Sequence, residues 1–211
     1  MKFSEIRKKR KYFFLLFVSI LLLAVSFAAW VYFALQIQNV PAVTPSYDFL
    51  LSILPKIQHT AVGWFYVIGF ALTVLIAIAF FIVKDPAKLP YIILIWATFT
   101  LLRDFLFSVT VLDAPVGRAE KIGFLEYDRD LFPSGHAGIP FITGLVTDNR
   151  WFRYFLFAIS GVMAVIVLVT RIHYSIDVFG GYFICYGIYA LFDKYVKKWF
   201  DFSKTKPTQV F

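Results

Sequence analysis

Three short stretches of the chain hold residues whose types and spacing could do chemistry. One is Asp130-Leu-Phe-Pro133-Ser134-Gly135-His136. Another is Thr170-Arg171-Ile-His173-Tyr174-Ser175-Ile-Asp177. The last is the ionisable pair Arg103-Asp104, set inside an apolar run. His173 and Asp177 are four residues apart, so on a helix they share a face. A carboxylate there can take the proton of one ring nitrogen, fix the tautomer and leave the other nitrogen as a nucleophile. Ser134 and Gly135 ahead of a helix supply a hydroxyl, a close backbone approach and unpaired N–H groups, the components of an anion site at a helix N-terminus. His136 follows directly and can protonate a leaving oxygen. Arg171 adds a fixed cationic fork suited to phosphate. Plainer readings stand beside these. Ser-Gly is common in turns, a His near a membrane interface is often only solvated, and a His–Asp pair can simply cap a helix. Two His and one Asp could also ligate zinc, but no His-x-x-x-His or paired Cys supports that.

Such residues need elements to hold them, and the composition says which. The 211 residues are 60% hydrophobic, 20% aromatic and 16% charged, with a mean hydropathy of +0.75. Soluble domains are ~45–50% apolar and ~25% charged, so this chain takes lipid as its solvent. Disorder, a disulfide-rich secreted fold and a soluble nucleic-acid binder are excluded on the same numbers. Six apolar runs follow: Tyr12–Ile37, Thr60–Val83, Leu89–Leu112, Phe132–Val146, Trp151–Thr170 and Ile172–Phe192. None alternates as a barrel strand would, so the expected fold is all-α, a single polytopic transmembrane bundle of about six spans. The first run is too long for a signal-peptide core and is expected to be retained. The fourth is short and contains Gly138, Pro140 and Gly144. The connection between Gln38 and Thr60 carries Pro41, Pro45 and Pro55, and its apolar stretch Tyr47–Ile57 suits the membrane surface. Cys185, the lone cysteine, sits in the sixth run and is given no catalytic role.

Basic residues set the orientation. With residues 1–11 and 194–211 both in the cytosol, fifteen of the 21 Lys and Arg fall inside, five outside, and Arg103 lies in the membrane. The net charge of +8 is then a topology signal and a contact for anionic lipid, rather than a nucleic-acid footprint. The two histidine motifs meet at the outer, extracytoplasmic surface. The loop before His136 is acidic, with Asp113, Glu120, Glu126, Asp128 and Asp130, and His59 lies in an outer connection without a motif.

The motifs resemble the type 2 phosphatidic acid phosphatase superfamily. Its later motifs read Pro-Ser-Gly-His, and then Ser-Arg, five residues, His, three residues, Asp. Pro133-Ser134-Gly135-His136 matches the first in full, and His173 with Asp177 keeps the spacing of the second. Arg171 precedes His173 by two residues where the phosphatase pattern has six, and the first motif, a Lys followed after six residues by Arg-Pro, is absent. Both departures resemble the sphingomyelin synthase branch, with its Ser-Gly-His-Thr and His-Tyr-Thr-x-Asp-Val strings. Here they read Ser134-Gly135-His136 and His173-Tyr174-Ser175-Ile176-Asp177-Val178, and Arg103 to Gly117 is similar to that branch's Arg, Thr-x-Leu and Pro-x-Gly segment. The likeness covers residues 103–182.

The resemblance implies a membrane enzyme acting on phosphate esters of lipids at the non-cytosolic face. In it His173 attacks phosphorus to form a phosphohistidine, Asp177 orients and balances it, and His136 serves as acid and then base. Ser134, Gly135 and Arg171 hold the phosphoryl oxygens, and Arg103 stands in for the Arg of the missing motif or pairs with Asp104. No metal and no cofactor is implied, and the partners are lipids with phosphate-ester head groups, in a bacterial cell membrane. The leading expectation is a lipid phosphotransferase. Its rivals are a lipid phosphate phosphatase with water as acceptor and a non-catalytic lipid-binding or interaction protein.

Overall fold

The computed structural model describes residues 10–41, 44–57, 60–119 and 129–202, and every regular element among them is helical. The α-helices are α1 (Arg10–Gln38), α2 (Phe49–Ile53), α3 (Thr60–Lys84), α4 (Leu89–Val109), α5 (Gly135–Val146), α6 (Arg150–Val169) and α7 (Ser175–Leu191). The last continues through a π turn, Phe192–Val196, and a 3-10 turn, Lys197–Phe200. His59, Glu120, Glu126, Asp128 and the outermost stretches of both basic tails lie outside the described residues.

Five helical stretches are long and apolar enough to cross a membrane: α1, α3, α4, α6, and α7 together with the turns that continue it to Phe200. Six spans were expected, and α5 is the exception. It has 12 residues, about 18 Å at 1.5 Å per residue, against a hydrocarbon layer of roughly 30 Å. Its apolar run loses its first turn to Phe132-Pro133-Ser134, where the chain bends before the helix, and stops at Thr147. Other ends are trimmed too: α4 stops at Val109 and α7 begins only at Ser175.

Apolar side chains on α1 such as Phe14, Phe17 and Leu21, and Trp64, Phe65 and Leu72 on α3, stay exposed in the isolated chain. Each large apolar side chain left in water forgoes ~1.5–3 kcal/mol, so these surfaces belong in lipid. Inward-facing residues form two main clusters. In one, Ile92, Ile95, Trp96 and Phe99 of α4 meet Ile142 of α5 and Cys185 of α7. In the other, Tyr66 of α3, Ala137 of α5, Met163 and Val167 of α6 and Val178 of α7 pack together. Helices α1 and α4 run side by side in the same direction, tied by the Tyr12 hydroxyl donating to the Pro86 carbonyl at 3.0 Å and by Ala34 and Ile37 against Phe107. Helices α5 and α6 form a tight antiparallel hairpin, with Asn149 accepting from the Phe152 N–H at 2.9 Å to cap α6.

The shortness of α5 sets the depth of everything attached to its start. The Ser160 hydroxyl of α6 donates to the Ala137 carbonyl at 2.7 Å, yet α6 runs on to Val169. Tyr66 of α3 touches the His136 ring, and α3 begins six residues earlier. Arg103 reaches the carbonyl of Pro133 from six residues before the end of α4. By the helical rise, all three place the head of α5 about 10 Å below the ends of its neighbours.

Candidate active site

The chemistry-bearing stretches converge at that recessed head. The Ser134 N–H donates to the Asp177 carbonyl at 2.8 Å, joining the Pro-Ser-Gly-His turn to the first turn of α7. The join is tight because residue 181 is glycine: a Cβ there would stand 2.9 Å from the Ser134 carbonyl oxygen. Gly138 allows a similarly close approach on α5, where a Cβ would meet Phe99 at 2.8 Å and the Cys185 sulfur at 3.0 Å. Pro140 has no N–H to give the carbonyl of His136, which leaves the first turn of α5 short of one helical bond.

His173 and Asp177 meet, though not on a shared helix face. His173 lies ahead of α7, in the turn that links it to α6, and Asp177 is in the helix's first turn. Asp177 Oδ2 sits 3.2 Å from His173 Nδ1 and accepts the Tyr174 N–H at 2.8 Å. A carboxylate in the first turn also suits the helix dipole. The arrangement fixes which ring nitrogen faces the acid and leaves Nε2 for other work. His173 is only 2% exposed and Asp177 fully buried. The His136 ring lies 6.0 Å from that of His173, centroid to centroid, and rests on its other side against Tyr66 at 5.1 Å and Phe70 at 4.9 Å. The Ser134 hydroxyl is fully buried with no hydrogen-bond partner in the protein.

Arg103 belongs to this cluster. Its Nε donates to the Pro133 carbonyl at 3.0 Å and its Nη2 to the Asp130 carbonyl at 3.3 Å and to the Asp130 carboxylate. Its side chain passes 3.6 Å from where a Cβ on Gly135 would stand. Asp130 is held in turn by the indole N–H of Trp30 at 2.6 Å, so α1 contributes to the site at one remove. Asp104 is buried and lies 4.0 Å from Arg103 Nη1.

Arg171 has a different setting from the one its sequence position suggested. Its Nη2 donates to the Leu54 carbonyl at 3.0 Å, and the residue lines an outer cleft of about 410 Å³ with Asp48, Leu51, Val116 and Tyr174. Its backbone has φ +58°, a left-handed conformation uncommon outside glycine. Arg103 and Arg118 both bring positive charge toward His136. By sequence Arg118 is one of the five outer basic residues. The signal that could have marked it is its place directly after Pro115-Val-Gly117.

A second residue that sequence reasoning missed is Asp48. Its Oδ1 caps α2 by accepting the Leu51 N–H at 3.1 Å, and its Oδ2 accepts the Ser175 N–H at 2.6 Å. Burial works to raise its pKa, but these N–H donors outweigh that and hold the carboxyl below its ordinary range. Close by, the Tyr174 hydroxyl accepts the Ser46 N–H at 3.1 Å and donates to the Asp113 carbonyl at 2.9 Å. Burial pushes the Tyr174 phenol up, so the hydroxyl keeps its proton. Among the described residues no group of three or more His, Cys, Asp or Glu is placed to hold a metal ion.

Compared with family models, residues 129–195 match the one described as PAP2 superfamily C-terminal. The matched third of the chain contains Ser134, Gly135, His136, Arg171, His173 and Asp177. The match supports the PAP2 superfamily, and with it phosphatase or phosphotransferase chemistry on lipid phosphates. No curated protein matches the chain.

Proposed function

We propose that this is an integral-membrane enzyme that moves a phospho-head-group between lipids through a phosphohistidine, in the manner of sphingomyelin synthases, with its active site on the extracytoplasmic side. The observation that carries the reading is the His173–Asp177 contact of 3.2 Å, with His136 across from it at 6.0 Å between rings. In the first step the Nε2 lone pair of His173 attacks phosphorus, and the bond from phosphorus to the lipid alcohol breaks. His136, protonated once the anionic phosphate ester sits beside it, passes that proton to the departing alkoxide. Asp177 stays ionised, holds Nδ1–H and balances the charge gained by the His173 ring. In the second step an incoming hydroxyl gives its proton to His136 as its oxygen bonds to phosphorus. The phosphorus–nitrogen bond breaks and His173 is restored.

Charge builds on the non-bridging oxygens in both steps, and preorganised donors are worth most there. Arg103 beside Gly135, the unpartnered Ser134 hydroxyl and the N–H groups at the head of α5 supply them, with Arg118 adding positive charge. Arg171, bonded to Leu54, acts at the rim of the outer cleft. The acceptor in the second step separates transferase from phosphatase. The test is a panel of phosphate-bearing lipids with the purified protein, following free phosphate and new phospholipid separately. New phospholipid is expected from wild type, together with an acid-labile phosphoenzyme, and neither from His173→Ala. Free phosphate alone would make the protein a phosphatase, and full activity in His173→Ala would overturn the nucleophile.

A further inference from the structure

The segment between α1 and α3 is tied to the catalytic turn at four points over residues 44–57. The Ser46 N–H reaches the Tyr174 hydroxyl at 3.1 Å, Asp48 Oδ2 the Ser175 N–H at 2.6 Å, the Leu54 carbonyl Arg171 at 3.0 Å, and the Ile57 N–H the Val169 carbonyl at 2.9 Å. Every one of these partners lies between residues 169 and 175, so the segment grips the turn carrying His173 from both sides. Its outward face is apolar. Tyr47 is 82% exposed, Phe49 64% and Ile53 63%, and the last two are four residues apart on α2 and share a face.

Three such side chains facing water would forgo ~1.5–3 kcal/mol each. The segment hangs between Gln38 and Thr60, the ends of two spans whose exposed apolar sides already require lipid. Its apolar face therefore continues the lipid-facing surface of the bundle at the level where the spans end. An aromatic and aliphatic patch at that height suits the boundary between head groups and acyl chains.

We propose that residues 44–57 form a strap seated in the lipid surface, and that Asp48 is a positioning residue through which the seated strap sets the His173–Asp177 pair. The path is short. Asp48 fixes the Ser175 N–H at the head of α7, the neighbouring Tyr174 N–H is fixed by Asp177, and Asp177 holds His173 Nδ1. This rests on the phosphohistidine reading for its purpose, but the seat and the coupling are each measured without turnover.

For the seat, Tyr47→Cys carries an environment-sensitive fluorophore in protein reconstituted into zwitterionic phospholipid vesicles. The native Cys185 is buried and does not compete for the label. Quenching by shallow doxyl-lipid and protection from aqueous iodide are expected. Quenching by iodide alone, as for a strap facing water or a soluble partner, overturns the seat. For the coupling, 15N-histidine spectra in nanodiscs are compared among wild type, Asp48→Ala, Asp48→Asn and Ser52→Ala, with His173→Gln assigning the signal. Asp48→Ala is expected to displace the His173 ring resonances, and Asp48→Asn, which keeps one acceptor, to displace them less. Ser52→Ala, whose hydroxyl bonds only inside the strap, donating to Phe49 at 2.6 Å and accepting from Tyr47 at 3.5 Å, should leave them in place. An unmoved His173 signal in Asp48→Ala overturns the coupling. If the wild type turns over no phospholipid while both readouts behave as expected, the functional reading fails and the strap stands.

Discussion

Arg103 carries five N–H donors in a rigid fork. Nε–H and Nη2 are committed to Pro133 and Asp130, while Nη1 makes no hydrogen bond among the described residues and faces Asp104 only at 4.0 Å. The committed donors lock the guanidinium beside Gly135, and on the proposed mechanism Nη1 is the arm that would meet a phosphoryl oxygen. A lysine offers one ammonium and no fork, so it cannot hold the Pro-Ser-Gly turn and reach phosphate together. Arg103→Lys should therefore lower turnover by roughly 100-fold, the scale of losing one preorganised donor. The thermal transition in detergent should move little, because Lys still pairs with Asp130. Steady-state rates beside a melting curve check this, and wild-type turnover would return Arg103 to a structural role. The sequence put Arg103 in the membrane with two readings open and Asp130 without a role. The residue types were legible, but the 27-residue separation that folding closes between them was not, and neither was Trp30, 100 residues from its partner.

At the scale of elements, α7 depends on where its glycines fall. Gly181 packs on the Ser134 carbonyl, whereas a Cβ on Gly187 would meet nothing within 4 Å. Glycine costs a helix interior ~1 kcal/mol relative to alanine. Gly187→Ala should thus stabilise the bundle by up to about that amount, and Gly181→Ala should destabilise it and cut activity by pushing the Ser134 turn away. Opposite shifts of the two melting transitions are the expected result; equal shifts would mean that the α7–Ser134 contact is loose. The apolar runs foretold each long helix, since twenty lipid-compatible residues admit little else. They were poor at ends, where single polar contacts decide. The His173–Asp177 spacing suggested a helix face, yet α7 starts after His173 because Asp177 and Asp48 together cap it at Tyr174 and Ser175. Asp48 itself was unreadable, since nothing near it in sequence hints at a partner 127 residues away.

For the whole molecule, the excess of inner Lys and Arg argues that the histidine end faces outward. Two exposed positions at opposite ends of the bundle test it. Val116→Cys, at the histidine end, should react with a membrane-impermeant maleimide on intact cells, and Asp148→Cys, in the α5–α6 turn, only after permeabilisation. The reverse pattern would invert the topology. The fourth apolar run is already short in the sequence, and α5, the helix it forms, is shorter still at 12 residues. That helix has a consequence for acceptors. On the proposed topology, reacting atoms held about 10 Å below the neighbouring helix ends would lie level with the glycerol region of a leaflet rather than with bulk solvent. A lipid hydroxyl arrives there already concentrated in two dimensions and oriented by its own chains, with much of the entropic cost of meeting the phosphoenzyme met beforehand. Water must descend into the recess with no such advantage. On the proposed phosphohistidine mechanism, these missing turns of helix would tilt the competition at phosphorus toward membrane-borne alcohols.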